Sequence, residues 1–89
     1  MMQLVVMCLK PRINIPFEMH EGHDQFIKVV QGSGKICTSR TAHGPRETII
    51  LKDGVSVLIP AGVYHEVVNT SRTKDLRLYT IYSPPEHPV

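Results

Sequence analysis

The sequence predicts an all-β chain that closes into one small barrel or jelly roll of antiparallel strands. Apolar residues fall in runs of four to eight, punctuated by Gly, Pro and Asp, and no stretch shows the apolar spacing of an amphipathic helix. The chain has 89 residues, 42% of them apolar and 20% charged, so it reads as one globular domain with a single modest core. Seven or eight short strands that share one core hide their edges by closing on themselves.

The first strand is expected at Gln3 to Leu9. Its segment LVVMCL is apolar on both faces, which suits a central strand or one exchanged with a second copy, so a homodimer is expected. The same run is too short to cross a bilayer and lacks the small-residue cleavage pattern of a signal peptide, so the expectation is a cytoplasmic protein with no membrane partner. Cys8 and Cys37 lie among apolar or β-branched neighbours and are expected to be buried free thiols. A net charge of +2, with Arg40, Arg46, Arg72, Lys74 and Arg77 scattered, argues against nucleic acid as the main partner.

Further strands are expected at Asn14 to His20, Gln25 to Gln31 and Lys35 to Thr38, the last two separated by Gly32-Ser33-Gly34. The stretch Ser39 to Glu47, SRTAHGPRE, is the longest break and reads as an exposed loop. Beyond it, strands are expected at Thr48 to Lys52, Val55 to Ile59, His65 to Asn69 and Leu76 to Tyr82. Asp53-Gly54 and Pro60-Ala61-Gly62 supply turns between them. The tail from Ser83 to Val89 contains Pro84, Pro85 and Pro88, which cannot donate to a ladder, so it is expected to lie extended.

The chemistry concentrates in FEMHEGHDQF, Phe17 to Phe26. Residues two apart on a strand share a face, so Glu18 and His20 project together, while Phe17 and Met19 face the other way and Phe26 is a further packing residue. A carboxylate and an imidazole turned into a barrel need partners or a cation, because an unpaired buried polar group costs roughly 2–7 kcal/mol. Gln25, on one side of its strand with Ile27, Val29 and Gln31, can add an amide oxygen. His65 arrives from the strand after the Pro-Ala-Gly turn. His23 is off the Glu18 face and belongs to the strand connection, while His43 and His87 fall in the loop and the tail. Glu66 turns outward by alternation, Tyr64, Tyr79 and Tyr82 read as packing or rim residues, and Asn69 is expected to bond backbone near Thr70 and Ser71.

In GVSVLIPAGVYHEVVN, residues Gly54, Pro60, Gly62, His65 and Asn69 resemble the second motif of the cupin superfamily: G, five residues, PxG, two residues, H, three residues, N. The superfamily's first motif reads G, five residues, HxH, three or four residues, E, six residues, G. His20, Gln25 and Gly32 keep its spacing, but Arg12 stands at the opening glycine, Glu18 at the first histidine and Gln25 at the acid. The resemblance implies a single cupin domain over residues 1–89, with motif 1 at about 13–34 and motif 2 at 54–69. It also implies a cupin-type jelly roll and a metal set of Glu18, His20, Gln25 and His65. Such a set of imidazoles and oxygens suits a divalent ion such as Zn, Fe, Mn or Ni.

More closely, the chain is similar to small single-domain cupins of the mannose-6-phosphate isomerase-like group, through Asp24-Gln25-Phe26 and LYTIYSPPEHP, Leu78 to Pro88. That likeness implies a metal-binding protein acting on a small polar molecule such as a sugar or sugar phosphate, with the reaction and catalytic residues unassigned. A non-catalytic cupin that binds a small ligand and a structural or dimerising module both stay open. If Glu18 is not a ligand it is the best general base. Recognition of phosphate calls for a cation at the barrel mouth, for which Arg40 or Arg46 of the long loop is available.

Overall fold

Eight strands form: β1 (Gln3–Leu9), β2 (Asn14–Glu18), β3 (Asp24–Gln31), β4 (Gly34–Ser39), β5 (Glu47–Leu51), β6 (Ser56–Ile59), β7 (Tyr64–Asn69) and β8 (Leu76–Ser83). The computed structural model describes residues 3–83, so the expectations for the proline-rich tail and for His87 lie outside the described residues. No helix occurs among the described residues, and every strand lies within two positions of its expected bounds.

The strands make two four-stranded antiparallel sheets, ordered β1-β8-β3-β6 and β2-β7-β4-β5, the arrangement of a small jelly roll. Alternation aims one side of each sheet at a shared core. Leu9, Ile27, Val29, Val57, Ile59, Leu76 and Leu78 come from the first sheet, and Ile36, Leu51 and Val67 from the second. Each such side chain contributes about 1.5–3 kcal/mol when fully buried.

Four expectations are corrected. Within the chain β1 is an edge strand bonded only to β8, not a central one, and it exposes Leu4 (62%) and Val6 (79%). Cys8 shares that outward face and is exposed, its thiol 3.5 Å from Asp75 Oδ2, whereas Cys37 is buried; both are free. Strand β2 stops at Glu18, because Pro16 cannot donate and the register with β7 shifts between Ile15 and Glu18. In β3, Gln25, Ile27 and Val29 point inward as alternation predicts, but a register shift between Val29 and Gln31 leaves Gln31 exposed. Phe26 lies on the outer face, in a row with Ile81 and Leu58.

Three turns share one construction. Ile13 N–H donates to Lys10 C=O (3.1 Å), Val55 to Lys52 (3.0 Å) and Val63 to Pro60 (3.3 Å), and the third residue of each turn has positive φ. Gly54 and Gly62 take that position in two of them, each at φ 84°. In the first turn the residue is Arg12 at φ 65°, the only non-glycine with positive φ among the described residues, and Pro11 before it completes a type II pattern. Arg12 thus stands where the motif has glycine and takes a positive φ, a conformation glycine adopts without strain.

Asn69, buried in β7, fastens the far end of the sandwich. Its amide donates to the carbonyls of Leu9 (3.0 Å), Lys10 (3.1 Å) and Lys74 (2.9 Å), and its Oδ1 accepts Ser71 N–H (2.9 Å). The expected bond near Ser71 is present, and the three carbonyls tie the β1–β2 and β7–β8 connections together as well.

A side chain at positive φ costs roughly 1–2 kcal/mol, part of which glycine returns through its freer unfolded chain. Arg12→Gly is therefore expected to stabilise the protein by about 0.5–1 kcal/mol, read as a higher urea midpoint. An unchanged or lower midpoint would show that Arg12 carries no strain.

Candidate metal centre

Every proposed donor lies at one end of the sandwich. Glu18 closes β2 directly opposite His65, the second residue of β7, and Gln25, the second residue of β3, stands opposite Tyr82, the last but one of β8. His20 sits two residues past β2, where alternation along a strand no longer sets its direction. Its position comes from the Pro60-Ala61-Gly62 turn: Gly62 N–H donates to His20 C=O at 2.9 Å, and Ala61 N–H donates to Asp24 Oδ1 at 2.9 Å.

One ligand atom from each of Glu18, His20 and His65 lies within 4.8 Å of the others, so this trio can hold a metal ion. Glu18 Oε1 approaches His20 Nε2 to 3.4 Å, and the two imidazole rings are 5.6 Å apart. His65 is 2% exposed, His20 half-buried and Glu18 exposed, so the group runs from the interior out to solvent.

His65 Nδ1 is 3.2 Å from the carbonyl of Val63. A carbonyl only accepts, so Nδ1 carries the proton and the Nε2 lone pair is left free. Burial holds the His65 imidazole below its ordinary pKa; the Val63 bond opposes this, the His20 ring adds to it, and Glu18 opposes it least. The ring is therefore neutral at pH 7, the form that ligates a metal.

Gln25 is buried, and its amide nitrogen donates to Thr80 Oγ1 (2.9 Å) and Tyr82 Oη (3.4 Å). Those bonds commit the nitrogen and leave Oε1 as an acceptor. Gln25 Oε1 and His20 Nε2 are the buried side-chain polar atoms without a hydrogen bond among the described residues, since the 3.4 Å contact of His20 with Glu18 lacks hydrogen-bond geometry. Leaving such atoms unmade costs about 1–3 kcal/mol each. An amide oxygen without a partner, at the same end as a carboxylate and two imidazoles, one of them neutral with its Nε2 free, is a donor set that fits a divalent cation.

Tyr82, a packing or rim residue by sequence and one of three tyrosines able to meet a ligand at the barrel mouth, stands beside the trio. Its ring stands edge-on to His20 at 5.6 Å, and burial first, then the charge of Glu18, push its phenol up, against a weaker effect of Thr80. The phenol therefore stays protonated beside the trio. Thr80 and Tyr82 were legible only as inward positions of the last strand, because their partner Gln25 is 55 and 57 residues away. His23 is exposed, touches Tyr82 edge-on at 6.4 Å and stands outside the trio, and His43 is exposed in its loop.

The two loop arginines separate. Arg46 lies over the Phe17 ring at 4.0 Å and 3.5 Å from Glu66, while Phe17 stacks on Tyr64 at 5.5 Å; all four occupy the outer face. Glu66 also accepts from Asn14 at 2.7 Å and has no part in the trio. Arg40 instead lines a cavity of about 390 Å³ at the donor end. A larger one, about 740 Å³, lies at the opposite end among Lys52, Asp53, Lys74 and Arg77, and none of the donors reaches it.

A model of the cupin domain matches residues 5–82. The chain is 42% identical over 86 residues to the uncharacterized protein L612 of Acanthamoeba polyphaga mimivirus, covering 97% of this chain and 52% of that protein. It is 35% identical to the uncharacterized protein YrkC of Bacillus subtilis, covering 97% and 46%. It thus spans about half the length of the curated relatives it matches. Among solved structures, BH2720 from Bacillus halodurans superposes with a TM-score of 0.89 at 34% identity, covering 98% of this chain and 65% of that one. The Drosophila melanogaster CENP-C domain bound to CAL1 gives 0.82 at 21% identity, covering 90% and 63%, a likeness of fold alone.

Metal-stripped protein titrated with Zn²⁺ is expected to gain about 2.7 kcal/mol of stability at a hundredfold excess over Kd. His65→Ala is expected to abolish that gain. A melting temperature that stays flat through the titration of the wild type contradicts the site.

Proposed function

The chain belongs to the cupin domain family, and from that premise we propose that it is a metal-binding cupin acting on a small polar molecule, in particular a sugar or sugar phosphate. The observation that carries this reading is the convergence of Glu18, His20 and the neutral His65 within reach of one ion, with the unpartnered Gln25 Oε1 at the same solvent-open end. In this reading Glu18, His20, Gln25 and His65 hold the ion. When bound, a divalent ion such as Zn, Fe, Mn or Ni polarises a substrate oxygen or lowers the pKa of a bound water.

The chain's own groups divide the remaining work. Val63 keeps the proton of His65 on Nδ1, so that Nε2 faces the site in one tautomer. Thr80 and Tyr82 fix the Gln25 amide with its oxygen free. Because Tyr82 accepts from Gln25, its own phenol proton is available to a substrate oxygen. The sugar-phosphate class rests on the likeness to mannose-6-phosphate isomerase-like cupins through Asp24-Gln25-Phe26 and the Leu78–Pro88 stretch.

The test is metal content by elemental analysis of protein purified without chelator, in wild type, His20→Ala and His65→Ala, followed by a turnover screen of sugar phosphates. Near-stoichiometric metal in the wild type, reduced at least about tenfold in both variants, supports the reading. Absence of metal with unchanged melting temperatures sinks it.

A second reading, a cytoplasmic homodimeric assembly module without turnover, is favoured by one observation. Leu4, Ile81, Phe26 and Leu58 form a row across all four strands of the first sheet, on the face away from the core, beside the open edge of β1. An uncharged edge strand of this length invites pairing with another copy. Sedimentation of the wild type is expected to give a dimer and Val6→Glu a monomer; a wild-type monomer at high micromolar concentration removes this reading.

A further inference from the structure

Successive antiparallel pairs align four residues across the second sheet: Glu18 opposite His65, His65 opposite Thr38, and Thr38 opposite Glu47. Cross-strand partners share a face of the sheet, so Thr38 and Glu47 stand on the side that carries the metal trio. At about 4.8 Å per strand, the Glu47 backbone lies roughly 10 Å from that of His65. A second carboxylate therefore faces the same end of the sandwich, contributed by a residue outside both cupin motifs.

Between this row and the β4–β5 loop lies the cavity of about 390 Å³, bounded by Thr38, Ser39, Arg40, Thr41, Glu47 and Val63. Val63 links it to the trio, because its carbonyl accepts from His65 Nδ1 at 3.2 Å. Its floor is ordered, because Ser39 Oγ donates to Thr41 C=O at 2.7 Å and accepts Thr41 N–H at 3.3 Å. Arg40 and Glu47 are exposed, and neither forms an ion pair among the described residues, although both line the same space. Arg46, the other loop cation, is held on the outer face by Phe17 and Glu66. The volume lies in the range of metabolite sites.

We propose that this cavity is a substrate-recognition subsite for a small polyol carrying one phosphate monoester. Arg40 binds the phosphate with its planar fork of donors, and Glu47 accepts a hydrogen bond from a hydroxyl, Thr38 lying between them. A carboxylate and a guanidinium in one small cavity select a ligand with one anionic end and one hydroxylated end. A molecule anionic at both ends is repelled by Glu47. The proposal rests on the metal-centre reading, because the substrate so held extends toward Glu18 and His65.

The test uses the full chain, with inorganic phosphate and glucose 6-phosphate as probes, followed by ¹H–¹⁵N chemical shifts and calorimetry, with metal content measured on each sample. Both probes are expected to shift the amides of residues 38–47 and Val63. Arg40→Ala is expected to weaken both about tenfold or more, with partial recovery in Arg40→Lys. Glu47→Gln is expected to weaken glucose 6-phosphate several-fold and leave inorganic phosphate unchanged. Equal binding by wild type and Arg40→Ala, absence of binding to metal-loaded protein, or shifts confined to Lys52, Lys74 and Arg77 at the opposite end overturns the proposal. Glucose 6-phosphate shifting residues 38–47 in protein that takes up no metal supports the subsite and overturns the metal reading alone.

Discussion

Two backbone donors on the Pro60-Ala61-Gly62 turn hold together the end of the sandwich that carries the candidate metal donors. Gly62 N–H reaches the His20 carbonyl and Ala61 N–H reaches the Asp24 carboxylate. A neutral bond of this kind is worth about 0.5–1.5 kcal/mol, and one to a charged acceptor roughly 1.5–3 kcal/mol. Their leverage exceeds that energy, because His20 lies beyond the end of β2 and has no ladder to place it. The same turn starts β7 and so aims His65, which means that one reversal positions two imidazoles 45 residues apart in the chain. Spacing in both motifs matters for this reason: a residue added between Gly62 and His65 would turn the second imidazole to the wrong face.

The interior treats its polar groups in two ways. Asn69 is surrounded by carbonyls and an N–H that satisfy it, and its role is to fasten loops. Gln25 and His20 each keep a polar atom without a hydrogen bond, at the opposite end, where Glu18 opens to water. Only the second kind leaves polar atoms without partners. The core of aliphatic residues from both sheets offsets the cost of keeping these atoms unpaired. A narrow site within a rigid sandwich follows: the donors stand on strand ends and a tied turn, where ladder bonds limit their movement.

The outer faces differ just as clearly. On the second sheet, Phe17, Tyr64, Arg46 and Glu66 pack one on another, so an arginine that looked free in the sequence is committed there. On the first sheet, Leu4, Ile81, Phe26 and Leu58 have no such cover within the described residues, and Leu58 is 64% exposed. Alternation alone marks both sets as sitting opposite the core. Whether such a face carries charge pairs or bare apolar surface depends on which strands become neighbours.

The sequence by itself determined what is local. Two-residue alternation, Gly and Pro at the reversals, and motif spacing located eight strands, the turns between them, the inward face of Gln25, Ile27 and Val29, and the proximity of His20 and His65 as an expectation. These depend on steric rules and periodicities that act within a few residues. Only the tertiary structure decided that β1 is an edge strand, that Cys8 is exposed, that β2 ends before His20, and that Thr38 and Glu47 share a row with Glu18 and His65. Those outcomes come from pairing between strands far apart in the chain, where a one-residue change of register reverses every side chain. Nothing in a single strand's own pattern specifies its neighbour.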